Sequence, residues 1–384
     1  MKPRLFAMSL LALLAAAGPL WAQEAGAYDK YLWETYRVTG VGESAQPLVT
    51  ELRAEVQKVL DAGPLASLRA VYADIPQDMY FMYWQGGRVI TTLAYAYPYL
   101  TAEQQAGVKK YVQAELADPE RAPWADKGFI PPDKGTPREI HSFAHKGAGW
   151  DRYWSMWGVK KTTLGVLYGL WLYGDRTGDW ETIKQHYPKI VQFYSSKINQ
   201  GDIYGTMGAH IAMARIARKM NDEKTLAAAS ATAGKVLEIG KDIAGVEGRV
   251  KKYWPERFEQ RQAGSLYQGW MFLELCPEVG RFLAENVKDE VLKRHSAAMA
   301  RYPMFWLREV PYGGRWTGDE GKGLPTELMG MLVPIERWVA GAKAETLAGY
   351  MRSAPISLGD CYWLESLVIA IESAGQTQWV ALKD

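Results

Sequence analysis

Only two of the 384 residues are cysteine, five are histidine, and basic and acidic side chains nearly cancel at 45 to 43. Each scarcity closes off a class of protein. Cys276 and Cys361 are too few to staple a disulfide scaffold, and with no partner pattern beside them they do not make a zinc site. They are either one disulfide or two buried free thiols, because sequence alone does not bring them together. A net charge of +2 gives no basic surface of the kind a nucleic-acid partner requires. Beyond the opening residues no stretch approaches the roughly 20 consecutive apolar residues that span a bilayer, so stable membrane insertion is not expected. Few runs alternate polar and apolar residues with the period of two that marks strands.

The opening reads as a secretory leader over residues 1–22. Lys2 and Arg4 supply the positive start, Leu5 to Ala17 the short apolar centre, and Leu20-Trp21-Ala22 a cleavage site. A membrane anchor is the alternative, against which the apolar run is short. Without the leader, 43 basic side chains balance 43 acidic ones. The remaining 23–384 has no linker-like composition and reads as one domain, secreted or periplasmic.

What is abundant is aromatic: 16 tryptophans and 22 tyrosines. They suit either core filling or a groove that packs against sugar rings. After an irregular start over 23–44, the chain reads as helix after helix. Ser44 is placed to cap a helix running to about Leu60, and Asp78 to cap an apolar one running to Leu100. Thr101 and Gln104 have the form of a capping box. Helices follow at 154–174 and 180–198, with Gly178-Asp179 as turn and cap. Helices at 203–220 and 222–240 repeat the scheme around Asn221-Asp222, 43 residues later. Further candidates are 259–275 with 277–301, 324–341 with 344–353, and a closing helix at 360–374. An apolar helix followed by an amphipathic one, repeated, is the pattern of stacked helical hairpins. The fold class is therefore all-α: an (α/α) toroid of six or seven hairpins, with an open solenoid as the alternative. The long segments 117–150, 241–254 and 302–323 favour the toroid, since its loops can gather at one mouth.

Four clusters carry chemistry. The first is REIHSFAHKGAGWDRYWSMW, with Glu139, His141, His145, Trp150, Asp151, Arg152 and Tyr153, followed by Lys160 and Lys161 in an apolar run. His141 and His145 have i, i+4 spacing, but Pro137 and Gly147 flank them and no third ligand is recognisable, so no metal and no other cofactor is expected. The second is GDIYGTMGAHIAMARIA, with Tyr204 and His210; a histidine among Met, Ala and Ile is also a common core residue. The third is Arg257, Arg261, Tyr267 and Trp270. The fourth is VPYGGRWTGDEGKG, with Tyr312, Arg315, Trp316, Asp319 and Glu320, which lacks the Gly-Lys-Ser/Thr ending of a phosphate loop.

Paired helices, export, aromatic richness and the phrase LYGLWLYGDRTGDWETIKQHYPKI make the chain resemble the (α/α) toroid enzymes that act on polysaccharides. Within that group WDRYWSMW resembles the Asn-His-Ser-Tyr-Trp stretch of toroid alginate lyases, although Trp150 and Asp151 stand where such a lyase carries Asn and His. The chain is also similar to polysaccharide lyase family 38, toroids acting on glucuronan and alginate. The resemblance implies β-elimination on a uronate polymer. That reaction needs a carboxylate neutraliser, a base for the C5 proton and an acid for the leaving oxygen. The candidate catalytic residues are Tyr153, Tyr204, Tyr267, His145, His210, Arg152 and Glu139. The candidate substrate-binding residues are Trp150, Asp151, Lys161, Arg261, Tyr312, Arg315 and Trp316. Two other readings stay open. An inverting glycoside hydrolase would use carboxylates among Asp78, Glu139, Asp151, Asp319 and Asp360. A non-catalytic glycan-binding protein would use the aromatics alone. The polysaccharide, endo or exo action and the oligomeric state are left open.

Overall fold

A computed structural model describes residues 26–63, 87–119, 122–125, 164–197, 207–241, 276–293, 333–351, 355 and 358–383. They are mostly helical, as expected of an all-α chain. The opening is more regular than its composition suggests. A short helix α1 (Asp29–Trp33) runs into strand β1 (Glu34–Thr39). The latter pairs antiparallel with a strand at the other end of the chain, β2 (Gln376–Ala381), Glu34 opposite Ala381 and Thr39 opposite Gln376. This corrects the irregular start expected for 23–44. Each strand is stabilised by a partner at the far end of the chain, so neither carries a local signal.

The next helix, α2 (Gln46–Ala62), follows a single 3₁₀ turn at Glu43–Ala45. Ser44 therefore does not cap it. Proline in the first turn begins this helix instead, where its missing N–H costs nothing. Then come α3 (Arg88–Ala96) and α4 (Ala102–Ala117), joined by a 3₁₀ turn at Tyr97–Tyr99. The Thr101–Gln104 capping box forms in both directions.

α5 (Val166–Thr177) and α6 (Trp180–Lys197) make the next pair, and α7 (Met207–Lys219) and α8 (Glu223–Lys241) the one after. Their turns share one construction. Asp179 accepts from the backbone N–H of Thr182 at 3.2 Å and from its hydroxyl at 2.7 Å. Asp222 accepts from the N–H of Thr225 at 3.0 Å and from its hydroxyl at 2.7 Å. A tyrosine donates to each aspartate, Tyr173 to Asp179 and Tyr187 to Asp222. Gly178 and Asn221 take the left-handed backbone that ends the preceding helix.

α9 (Pro277–Asn286) is followed by a break at Val287, and residues 288–293 are helical again, so the helix expected over 277–301 is interrupted at one residue. Asn286 donates its side-chain amide to the Phe282 carbonyl at 2.8 Å, and Val287 leaves the helical conformation. Within the expected 324–341 helix, Ile335–Ala340 is wound as a π-helix ended by Gly341. α10 (Ala344–Tyr350) and α11 (Cys361–Ser373) complete the described helices.

The apolar helices pack side by side: α11 on α3, α3 on α5, α5 on α7, and α9 on the π-helix. Their directions follow from contacts at each end. At the starts, Arg88 of α3 binds Glu365 of α11, and a Cβ on Gly87 would lie 3.1 Å from Val166 Cβ of α5. At the ends, Arg176 of α5 donates to the carbonyls of Ala94 and Tyr95 of α3 and meets Glu372 of α11. Hence α11, α3 and α5 run parallel. The start of α7 joins the same side, because a Cβ on Gly208 would lie 3.0 Å from Cys276, which precedes α9, and 3.7 Å from Tyr168 of α5. Short turns then send α4, α6 and α8 back along the outside. One apolar cluster runs through these helices, with Trp171, Trp363, Tyr168 and Phe282 among its largest fully buried side chains.

The approach of α5 to α3 leaves no room at Gly169: a Cβ there would sit 2.9 Å from the Cα of Thr91. Gly169→Ala should destabilise the protein by at least the roughly 1–3 kcal/mol typical of core overpacking, despite alanine's better helix propensity. Urea denaturation checks this, and an unchanged or raised midpoint would show that the two helices are not in contact there.

Candidate functional site

Of the residues proposed for catalysis and binding, His210 is the one among the described residues. Tyr153, Tyr204, Tyr267, His145, Arg152 and Glu139 lie outside them, as do Trp150, Asp151, Lys161, Arg261, Tyr312, Arg315 and Trp316. The same holds for His141, Lys160, the third cluster, and Asp78, Asp319 and Glu320. Their positions in the chain are nonetheless informative. The stretches 126–163, 198–206 and 242–275, which carry most of them, lead into the starts of α5, α7 and α9.

Three arginine–glutamate pairs are buried among the described helices, Arg88–Glu365 toward those starts and Arg176–Glu372 toward the opposite ends. Arg88 reaches both oxygens of Glu365, with Nη2 to Oε2 at 2.5 Å, while Thr92 donates to Oε1 at 2.7 Å. The Arg88 guanidinium also lies 4.7 Å from the ring centre of Tyr362. Arg215 binds Glu278 at 2.9 Å, and Tyr168 donates to the other Glu278 oxygen at 2.7 Å. Arg176 and Tyr99 both meet Oε1 of Glu372, at 3.4 and 3.1 Å. Glu365, Glu278 and Glu372 are each at most 1% exposed. Burial outweighs the neighbouring guanidinium and raises the carboxyls of Glu365 and Glu372 above their usual range. None of these six charges figured among the expected site residues. A signal was available for part of the set: Arg88 is the one charge of α3, and Glu365 and Glu372, seven apart in an otherwise apolar run, share one face of α11.

The cysteines are two free, buried thiols. Burial pushes Cys361 up to about 12 and Cys276 well above its usual value, so neither supplies a thiolate. Asp360 is also buried, and its carboxylate caps α11 by accepting from the Trp363 N–H at 3.2 Å. No group of three or more His, Cys, Asp or Glu among the described residues is arranged to hold a metal ion. No described helix is long and apolar enough to cross a membrane.

His210 lies in the first turn of α7, 2% exposed, with Nδ1 2.8 Å from the Tyr194 hydroxyl. Burial raises the Tyr194 phenol, which keeps its proton, and the hydrogen bond it shares with Nδ1 of the neutral ring takes its direction from the tautomer. The same burial lowers His210 to about 4. In this geometry His210 reaches a reacting atom only by way of its neighbours, whereas its effect on stability is direct.

An unfolded histidine titrates near 6.5, so between there and about 4 the unfolded chain binds the extra proton. The contribution of neutral His210 is therefore complete above the unfolded value and is lost as pH falls through this window, reaching about 3 kcal/mol. His210→Gln should lose less stability than the parent between neutral pH and pH near 4. Paired denaturant titrations measure the difference, and equal losses in both proteins would show that His210 is not buried as described.

A scan against protein-family models finds no match to the chain, and neither a curated protein nor a solved structure matches it.

Proposed function

We propose that the protein is an exported lyase that cleaves a uronic-acid polysaccharide of the alginate or glucuronan type by β-elimination, on an (α/α) toroid whose apolar helices form the inner ring. The observation that carries this reading is the common direction of α3, α5 and α11, with the start of α7 on the same side. Chain segments rich in Tyr, Arg, His and Trp lead into that side, while the opposite side is joined by short turns. Helix starts present unpaired N–H groups and the positive end of the helix dipole, which favours an anionic polymer over a neutral glucan. The aromatic content suits the flat faces of sugar rings.

In the proposed reaction an arginine, Arg152, Arg261 or Arg315, holds the uronate carboxylate and spreads the charge that develops when C5 loses its proton. Glu139, if desolvated and protonated, does the same by donating a hydrogen bond. A tyrosine, Tyr153, Tyr204 or Tyr267, takes the C5 proton. The C4–O bond then breaks, a C4=C5 double bond forms, and the leaving oxygen takes a proton from the same tyrosine or from His145. Trp150, Asp151, Lys161, Tyr312 and Trp316 line the sugar subsites. A free tyrosine titrates near 10, so the reacting one needs adjacent positive charge to act near neutral pH. His210 assists from within the wall through Tyr194.

Incubation with alginate, glucuronan and a neutral glucan, following unsaturated ends and reducing ends together, tests the reaction. Unsaturated ends should appear with the uronates alone. Saturated reducing ends instead would identify a hydrolase, and tight binding without product a glycan-binding protein. Among Tyr153→Phe, Tyr204→Phe and Tyr267→Phe, one should lose about 10²–10⁴-fold in rate with folding and binding intact. Full activity in all three would discard the tyrosine mechanism.

A further inference from the structure

Residues 26–39 lie across the helical body in a way that differs from the rest of the chain. Their apolar anchors are Tyr31, Leu32 and Tyr36, which are buried, and Tyr28 and Trp33, which pack half-buried against the core. Most of the grip is polar and spread over several elements. Lys30 and the Tyr31 hydroxyl both bind Glu285, beside the end of α9, at 2.5 and 2.6 Å. Glu34 binds Arg281 of α9 at 2.6 Å, Arg37 binds Asp175 of α5 at 2.6 Å, and Tyr28 donates to Glu238 of α8. From beneath, Arg215 donates to three carbonyls of the segment, those of Leu32 at 2.6 Å, Glu34 at 2.7 Å and Tyr31 at 3.1 Å. Along its outer length β1 pairs with β2, the one strand described beside it.

The segment joins α2 through Gly40-Val41-Gly42. Gly40 has φ +77°, a left-handed conformation that costs glycine little, and nothing lies within 4 Å of where its Cβ would be. The ion pairs holding the segment are partly open to water: their side chains are 43 and 36% exposed for Lys30–Glu285, and 34 and 13% for Arg37–Asp175. Arg281–Glu34 is similar at 20 and 34%. Charges so placed are screened by salt, unlike the buried core. When the segment lifts, Arg215 keeps Glu278 and exchanges three carbonyls for water, so no charge is left buried without a partner.

We propose that residues 26–39 are a strap that opens as one unit about the Gly40–Gly42 hinge while the helical body stays folded, with the three half-exposed ion pairs controlling its release. The body opens only by giving up the continuous apolar cluster around α5 and α7, whereas the strap gives up five apolar anchors at the edge of that cluster and contacts that water and salt replace. Regions with few buried apolar contacts open first.

Hydrogen exchange read peptide by peptide on the full protein, at low and high sodium chloride, tests this. Peptides from 26–39 and 376–383 should exchange together, at least about tenfold faster than those of α5 and α7, and salt should speed the strap while leaving the helices unchanged. Arg281→Gln, which removes the bond to Glu34, should reproduce the salt effect at low salt. A strap that exchanges in step with α5 and α7, or whose exchange ignores salt, overturns the proposal. The salt comparison on the parent protein decides the matter even if the variant fails to fold.

Discussion

Burying an arginine is costly unless its charge is paired and its donors are used, and three times this fold meets that condition between neighbouring helices. Glu365 and Glu372 stand two turns apart on α11, one facing Arg88 of α3 and the other Arg176 of α5. A slide of either neighbour by one turn would leave a carboxylate and a guanidinium without partners in a dry interior. Apolar packing tolerates such slides better, because leucine meets valine or isoleucine equally well. The ion pairs therefore do less to hold the helices together than to fix which level of one faces which level of the next. Arg215 extends the same device to the chain's beginning: its guanidinium serves Glu278 on one side and three backbone carbonyls on the other. Position along the helices and position of the first residues are thus set by one buried group.

What the sequence made legible is what local chemistry decides. Thr101 with Gln104, and Asp179 ahead of Thr182, satisfy the free N–H groups of the next helix within a few residues, so a reader of the chain finds them directly. Ser44 has the right chemistry one residue too early, and Pro47 in the first turn begins the helix instead. Asn286 precedes a break at Val287 that periodicity alone does not show, because its amide competes for a carbonyl of the preceding turn before the helix resumes at 288–293. The two strands were not legible: Glu34–Thr39 and Gln376–Ala381 are strands only because they meet each other. The same limit governs the site. Glu365 in CYWLESLVIAIES stands out as a charge among apolar residues, yet nothing local says that Arg88 is its partner. From MGAHIAMARIA, His210 reads more readily as core than as catalyst, and it is burial beside Tyr194 that makes it a neutral, internal group.

The proposed site residues other than His210 lie outside the described residues, and the described helices show why a reacting group would not sit within their packed interior. Helices packed at the approach seen at Gly169 leave no slack for side chains that must move with a reaction. The charges they do contain are spent on each other.

With β1 and β2 paired, the first and last described segments are held side by side: Glu34 faces Ala381, and the Leu382 N–H donates to the Trp33 carbonyl at 2.7 Å. In its connectivity the described fold is nearly a ring. A short peptide could join the C-terminus to the residues before α1, and new ends could be cut at an exposed turn such as Gly178 or Asn221, without changing the order in which neighbouring helices meet. A circular permutant of this kind would carry the strap as an internal loop, held at both ends, and the strands that now depend on the two extremes of the sequence would become an ordinary local hairpin.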